Sequence, residues 1–388
     1  MELEKKRTPK IGIGKLKKSL LLRQAIRFSL LEGEKSITEF CKHMHMSAPT
    51  GAKLVRELIA QNVFVESGKR DSSSGRKPTI FSLNPFSGYV VCAELLLNRM
   101  LVNILNLNHE VIYEFKSSEF DIVRENETYQ YLVEKIPAVI REAKIPISKV
   151  IGIGIAIKGM VSMKRGISYT YLSQHAPLRD ILEKVWQIPV FIDNDARLMA
   201  MGEKRFGLAH GKSNVIYVNL SHGLGLGIIS NGLIHGGHSG FSGEFGHIQV
   251  ANNNKQCVCG KVGCLETIVS GLALEDLYKT EFNRETSYED IFQEFISGND
   301  ALSKIFFSMG EQLGKELGTI VNIFNPELII IGGSFSPIAD AMKPSIVKGI
   351  SLRAMPKLVN DCEIQTSLLG ERAVMLGAFS LVTKELFK

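Results

Sequence analysis

The sequence predicts an α/β protein in two parts, a small winged helix-turn-helix head followed by a larger two-lobed body. Three observations predict it. Charge is uneven, with a net of +9 over residues 1–84 and −3 over the rest. Two short helical patterns joined by a tight turn, then a basic hairpin, fill the first 84 residues. After them, strands followed by alternating helices and strands occur twice over. The 388 residues exceed one ordinary compact core. A hydrophobic content of 45% beside 22% charge argues against a disordered chain. No apolar run is long enough to span a bilayer. The basic N-terminus leads into Leu20-Leu21-Leu22, but Arg23, Gln24 and Arg27 break the run and no cleavage site follows, so no secretory signal is expected. Cys41, Cys92 and Cys362 are scattered, as expected of a cytoplasmic protein kept reduced.

Residues 16–31 place Leu22, Ile26 and Leu30 on one helical face, and Gly33 ends the pattern. Ser36 starts a second helix, Ile37 to about His43, with Ile37 and Phe40 inward. Ser47 is the expected N-cap of a third helix that runs to about Gln61, with Pro49 tolerated in its first turn. Leu54 and Leu58, with Val55 and Ile59, pack inward. Ala48, Thr50, Gly51, Lys53 and Arg56 are left to face out. Val63–Glu66 and Thr79–Leu83 read as the strands of a wing whose tip carries Lys69, Arg70, Arg76 and Lys77. Basic charge on this architecture points to double-stranded DNA, with Ser47, Thr50, Lys53, Arg56, Arg76 and Lys77 as contacts. A protein-docking helical module is the alternative.

Asn84-Pro85 marks the boundary between head (1–84) and body (85–388). Strands are expected at 89–95, 101–106 and 111–115, a helix at 129–143, and strands at 150–156 and 188–193. The last runs into Asn194-Asp195 and a helix over 196–206. The second set begins at Asn214, placing the lobe boundary near 195–213. It has strands at 215–219, 228–230 and 233–235, helices near 267–279, 287–297 and 299–323, and strands at 328–331 and 363–366. A C-terminal helix over 373–386 closes the chain.

Between these sets, His247, Cys257, Cys259 and Cys264 follow the spacing H-x9-C-x-C-x4-C. One imidazole and three thiols make the ligand set of a closed tetrahedral zinc site. Gly260 and Gly263 let the turn tighten around one ion. With no open coordination position the ion is structural, and the loop it holds also carries Glu244 and Glu266.

The stretch Gly243-Glu244-Phe245-Gly246-His247, with Cys257-x-Cys259-Gly260-x-x-Gly263-Cys264-x-Glu266, resembles the ROK family of sugar kinases and sugar-responsive repressors. Gly75-Arg76-Lys77-Pro78 is similar to the wing tip of the family's repressors, so the resemblance covers nearly the whole chain. It implies an actin/hexokinase-like body with a sugar between its lobes. It also implies Asn194, Asp195, Glu244, His247 and Glu266 as the sugar-holding residues, with Asp195 where the kinases keep their base. Carboxylates and amides suit that work, since each pairs with more than one hydroxyl.

The kinases carry an Asp-x-Gly-Gly-Thr turn for nucleotide phosphate, and here the stretch is Ala93-Glu94-Leu95-Leu96-Leu97-Asn98. No glycine admits phosphate and no hydroxyl handles magnesium. The second glycine-rich turn, Gly223–Gly227, survives beside an unusual His222, and Lys158 stands where proline is usual. The reading is a DNA-binding regulator rather than an enzyme. It resembles the branch of the family that represses N-acetylglucosamine and xylose genes, responds to a sugar or sugar derivative, and forms a homodimer or homotetramer. An active kinase with an added head, and a body that binds a partner protein, are the alternatives.

Overall fold

The computed structural model describes residues 13–70, 77–117 and 120–388. Its head consists of α1 (Ile13–Glu32), β1 (Lys35–Ser36), α2 (Ile37–His43), α3 (Ala48–Ala60), β2 (Phe64–Lys69) and β3 (Thr79–Leu83). Ser36 starts α2 by a reciprocal cap: its hydroxyl accepts from the Glu39 amide at 3.3 Å, and its own amide donates to the Glu39 carboxylate at 2.7 Å. Phe40, Leu54, Val55 and Leu58 meet Phe64, Phe81 and Leu83 from the wing in one apolar core. The three strands form an antiparallel sheet in the order β1-β3-β2.

Three expectations for α3 change. Gly51 is buried rather than outward, because a Cβ there would lie 2.3 Å from the Cys41 sulfur, while Ile59 is exposed. Ser47 has the extended backbone of an N-cap but makes no side-chain cap bond, its hydroxyl lying 2.9 Å from that of Thr50.

The body opens with β4 (Tyr89–Leu95), β5 (Met100–Asn106), β6 (Val111–Lys116), α4 (Glu125–Glu142), β7 (Val150–Ile157), β8 (Val161–Ser162), β9 (Ile167–Ser168), α5 (Leu178–Trp186) and β10 (Val190–Asn194). β4, β5 and β6 form an antiparallel meander, and β7 and β10 extend it in parallel to the order β10-β7-β4-β5-β6. After α6 (Asp195–Phe206) come β11 (Val215–Leu220), β12 (Leu224–Ser230), β13 (Leu233–Ile234), α7 (Gly271–Phe282), α8 (Tyr288–Ile296), α9 (Ser303–Phe324), β14 (Leu328–Gly332), α10 (Ser336–Arg353), α11 (Pro356–Asp361), β15 (Glu363–Thr366) and α12 (Arg372–Leu386). Their sheet, β13-β12-β11-β14-β15, repeats the first plan, three antiparallel strands extended by two parallel ones.

Each sheet has a core of its own on its outer face. A third core lies between the sheets, where α6 and α12 pack against Val90, Cys92 and Ala156 of one and Val215, Tyr217 and Ile330 of the other. Only part of the glycine run is a turn. The chain turns at Ser221–Gly223, and Gly225 and Gly227 lie on β12 under α6. A Cβ on Gly227 would meet the Ala196 carbonyl at 2.5 Å, so glycine there admits the helix. The elements α5, α10, α11 and the β8–β9 hairpin are additions to the sequence reading.

Candidate functional site: a cleft and a cysteine-rich loop

The parallel strands β7 and β10 end at one rim, and there the chain delivers Lys158-Gly159 and Asn194-Asp195. Open α/β sheets bind ligands at this end of their strands. Asn194 caps α6, its Oδ1 accepting from the Arg197 amide at 3.2 Å. Its Nδ2 donates to the Gly159 carbonyl at 3.1 Å and to Asp195 Oδ1 at 2.8 Å. Asp195 Oδ2 accepts from Asn219 Nδ2 at 3.1 Å, a partner supplied by the second sheet. Burial pushes the Asp195 carboxyl up, against the pull of the Lys158 ammonium. Asp193, just before the pair, is buried with Arg197, which donates to it through Nε at 2.9 Å and to the Val161 carbonyl at 2.7 Å. That closed pair orients the start of α6 and leaves Asn194 and Asp195 as the groups at the rim.

The second lobe brings Glu244, His247 and Glu266 to the same region. Glu266 Oε2 accepts from the Leu224 amide at 2.8 Å, which joins the cysteine-rich loop to the start of β12. Burial raises the Glu244 carboxyl, opposed by His247 and Arg197, while Asp195 and Glu266 add to the rise. Tyr171, missed in the sequence, belongs here too: burial, then Glu266 and Asp195, push its phenol above the ordinary value. Asn219 was also missed. No local pattern marks either residue, because their neighbours here come from distant strands and loops.

The donor atoms of His247, Cys257, Cys259 and Cys264 all lie within 4.8 Å of one another. Cys257 Sγ is 3.7 Å from His247 Nδ1, and Cys259 Sγ is 3.6 Å from Cys264 Sγ. A tetrahedron of zinc–sulfur bonds of about 2.3 Å has edges of about 3.7 Å, so the four donors fit one ion. With Nδ1 on the thiols, His247 turns Nε2 toward Glu244 Oε2 at 4.0 Å. One imidazole thereby stands between the cysteine cluster and the cleft. Gly263, at φ +87°, passes 2.8 Å from the Asn253 carbonyl measured at a notional Cβ, room that only glycine leaves.

The stretch that stands where the kinases keep their first phosphate turn is a tight bend on the first lobe. β4 runs straight to Leu95, and the Leu96 amide donates to the Arg99 carbonyl at 3.0 Å in a tight turn. Burial, with Asp195 and Glu371 adding to it, pushes the Glu94 carboxyl up to about 8, against Arg99. Arg99 also reaches Glu289 of α8 at 3.6 Å, an ion pair from the first sheet to the second lobe.

On the head, Ser47, Thr50, Lys53 and Arg56 are all exposed along α3, and Arg56 Nε bonds back to the Ala52 carbonyl at 3.2 Å. Lys77 is exposed at the tip end of the wing, two residues before β3, and Arg76 lies outside the described residues. Arg70, read as part of the wing tip, instead folds onto the head, donating to Glu39 Oε1 and to the Glu34 carbonyl, both at 3.1 Å.

A winged helix-turn-helix head on a two-lobed kinase-like body defines a transcriptional regulator built on a sugar-kinase scaffold. The chain belongs to the ROK family, whose model matches residues 102–385. The xylose repressor of Bacillus spizizenii is 30% identical over 376 residues, 95% of this chain and 95% of its own. The DNA-binding transcriptional dual regulator NagC of Escherichia coli is 27% identical over 367 residues, 91% of this chain and 89% of its own. A crystal structure of a ROK family transcriptional regulator, a homologue of the E. coli MLC protein, is similar with a TM-score of 0.79. It is 26% identical and covers 95% of this chain and 97% of its own. No helix among the described residues is long and apolar enough to cross a membrane.

Proposed function

We propose that the chain represses carbohydrate-utilisation genes and releases its operator when a sugar or sugar derivative enters the cleft. In this reading residues 1–84 are the DNA reader and residues 85–388 the sensor, whose lobes part near 195–213. Ser47, Thr50, Lys53 and Arg56 enter a major groove, and Arg76 and Lys77 follow the backbone. Asn194 and Asp195 on one lobe, with Glu244, His247 and Glu266 on the other, hold sugar hydroxyls. His247, Cys257, Cys259 and Cys264 hold a structural zinc ion that keeps the loop in shape. The regulator works in the cytoplasm as a homodimer or homotetramer, since operators read by such heads come as paired half-sites. Phosphoryl transfer is not part of the function, because Glu94 and the closed turn after it oppose a triphosphate.

The observation that carries this reading is helix α6. Asn194 and Asp195 stand at its first turn, and Arg205 in its last turn donates through Nη2 to the Leu30 carbonyl of α1 at 2.8 Å. A helix of this length is a rod of about 18 Å. It joins the ligand cleft to the head in one rigid step. A ligand that touches both lobes favours their closed arrangement, which gives it the differential affinity needed to shift a population.

The test is operator affinity measured by fluorescence anisotropy on DNA from the gene's own upstream region, titrated with D-xylose, D-glucose and N-acetylglucosamine and their phosphates. The expected result is a loss of affinity of roughly 5- to 150-fold with one of them, the range of a coupling of about 1–3 kcal/mol. A sugar that binds the chain tightly and leaves DNA affinity unchanged would refute the regulatory link.

A further inference from the structure

The lip of the cleft carries aromatic and apolar surface drawn from both lobes. On the first lobe, the Gly159 carbonyl accepts from Asn194 Nδ2 at 3.1 Å, and Met160 follows it with 42% of its surface exposed. Tyr169, 37% exposed, is pinned beside Met160. Its amide donates to the Met160 carbonyl at 2.8 Å, and the Met160 amide donates to Thr170 Oγ1 at 2.9 Å. Two positions on, Tyr171 lies close enough to Glu266 and Asp195 for both to act on its phenol. Two residues of chain span at most about 7 Å, so the backbones that carry the exposed ring and the cleft ring are neighbours. On the second lobe, Phe241 comes three positions before Glu244. Its ring meets that of Tyr169 edge to face, with centroids 5.1 Å apart and planes at 84°. The approach is close at Gly240, where a Cβ would lie 3.3 Å from Ser162 Cα on the first lobe. The pair therefore joins the lobes beside Asn194, Asp195 and Glu244.

We propose that the effector is a disaccharide, with one ring in the cleft and the second lying on a platform made by Tyr169, Phe241 and Met160. The proposal rests on the reading that the cleft holds a sugar. A sugar ring has two chemistries: hydroxyls around its edge and C–H bonds on its faces. The carboxylates and amides of the cleft suit the edge. An exposed aromatic face suits the C–H bonds, and a ring already held in place buries that surface at little cost in ordering. Apolar side chains scattered singly over a surface call for no explanation, but three that meet at the lip of a polar cleft mark a binding surface. The platform also has a polar border. Arg165 Nη1 donates to Tyr169 Oη at 3.3 Å, and the other N–H bonds of that exposed guanidinium are available to ring hydroxyls. Because Tyr169 comes from one lobe and Phe241 from the other, the second ring touches both lobes. It thereby adds to the preference for the closed arrangement that the first ring sets.

The experiment is calorimetric binding to the full chain of matched probes: D-xylose against xylobiose, D-glucose against cellobiose and maltose, and N-acetylglucosamine against its β-1,4-linked dimer. The methyl glycoside of each monosaccharide is a further probe. The expected result is at least about tenfold tighter binding of one disaccharide than of its monosaccharide and methyl glycoside, a difference of about 1.4 kcal/mol. Tyr169→Ala and Phe241→Leu should each bring that ratio to within about threefold of unity, and Tyr169→Trp should keep it. A methyl glycoside that binds as tightly as the disaccharide overturns the platform, since no second ring is then needed. So does a disaccharide preference that survives in both Tyr169→Ala and Phe241→Leu. A chain that binds a monosaccharide and no disaccharide overturns the platform and keeps the cleft reading; the Tyr169–Phe241 contact is then a joint between the lobes only. A chain that binds no sugar of either kind overturns the cleft reading itself, and the platform with it.

Discussion

At the scale of single residues, the cleft is governed by carboxylates held away from their ordinary ionisation. Glu94 is the clearest. Its folded pKa of about 8 lies above the ordinary 4.5. Between those values the folded chain keeps a proton that the unfolded chain has released, so this group's contribution to stability declines as pH rises from about 4.5 to 8. Glu94→Gln is expected to remove that slope. The variant should match the wild type near pH 5 and melt higher than it near pH 9, checked by thermal scans across the range. The cysteine-rich loop gives a second expectation at this scale. Cys257→Ser should lower bound zinc from about one ion per chain and lower the melting temperature, measured by elemental analysis and calorimetry, because a site's binding energy is part of folding. These residues were legible in unequal degree. His247 and the three cysteines lie within eighteen positions and announce themselves by spacing. Lys158 stood out in sequence only as an oddity, because its partner His222 is 64 positions away. Gly51 faces inward because of Cys41, a contact between helices that periodicity within α3 cannot show.

At the scale of elements, α6 runs from Asn194 and Asp195 to the contact with α1. Arg205 donates to the Leu30 carbonyl and to Thr383 Oγ1, each at 2.8 Å, and lies over the rings of Phe206 and Phe379. Arg205→Ala is expected to leave sugar affinity within about threefold of the wild type while reducing the sugar's effect on DNA affinity several-fold, since it removes a contact at the far end of the rod. Anisotropy with and without sugar, beside calorimetry of sugar binding alone, separates the two effects. Most of the longer strands were legible because they are short apolar runs closed by polar turns, whereas the start of β12 was hidden by its alternating glycines. Helix α10 was hidden too. Ile338, Met342, Ile346 and Ile350 repeat every fourth position and are buried, but Pro337 and Pro344 obscured the pattern. Pro337 occupies the first turn, where a missing amide costs nothing. Pro344 faces solvent beside exposed Asp340, so water can satisfy the carbonyl it leaves unpaired.

At the scale of the whole molecule, the two-lobed body was foreseen because its succession of strands and helices occurs twice along the sequence, and the head because a tight helix pair and a hairpin coincide with a charge that differs from that of the body. What sequence patterning did not supply is the layer that joins them, α6 and α12 packed between both sheets, since those contacts span the length of the chain. The head's basic face should make binding strongly salt-dependent. Lys53→Ala and Arg56→Ala are each expected to weaken operator binding and to reduce the slope of log affinity against log salt by about one, if each neutralises one phosphate. Titrations at several salt concentrations measure that slope directly.

The bond from Arg205 to α1 ends on a main-chain oxygen. Such a contact reads the position of a helix and is indifferent to the side chains it carries. The head can therefore change its DNA-facing residues, or be exchanged for the head of a relative, while the sensor keeps its grip, provided that a helical turn still presents a carbonyl at residue 30. One sensor could in this way be moved among operators by recombination, with the ligand response travelling with the body and the address with the head.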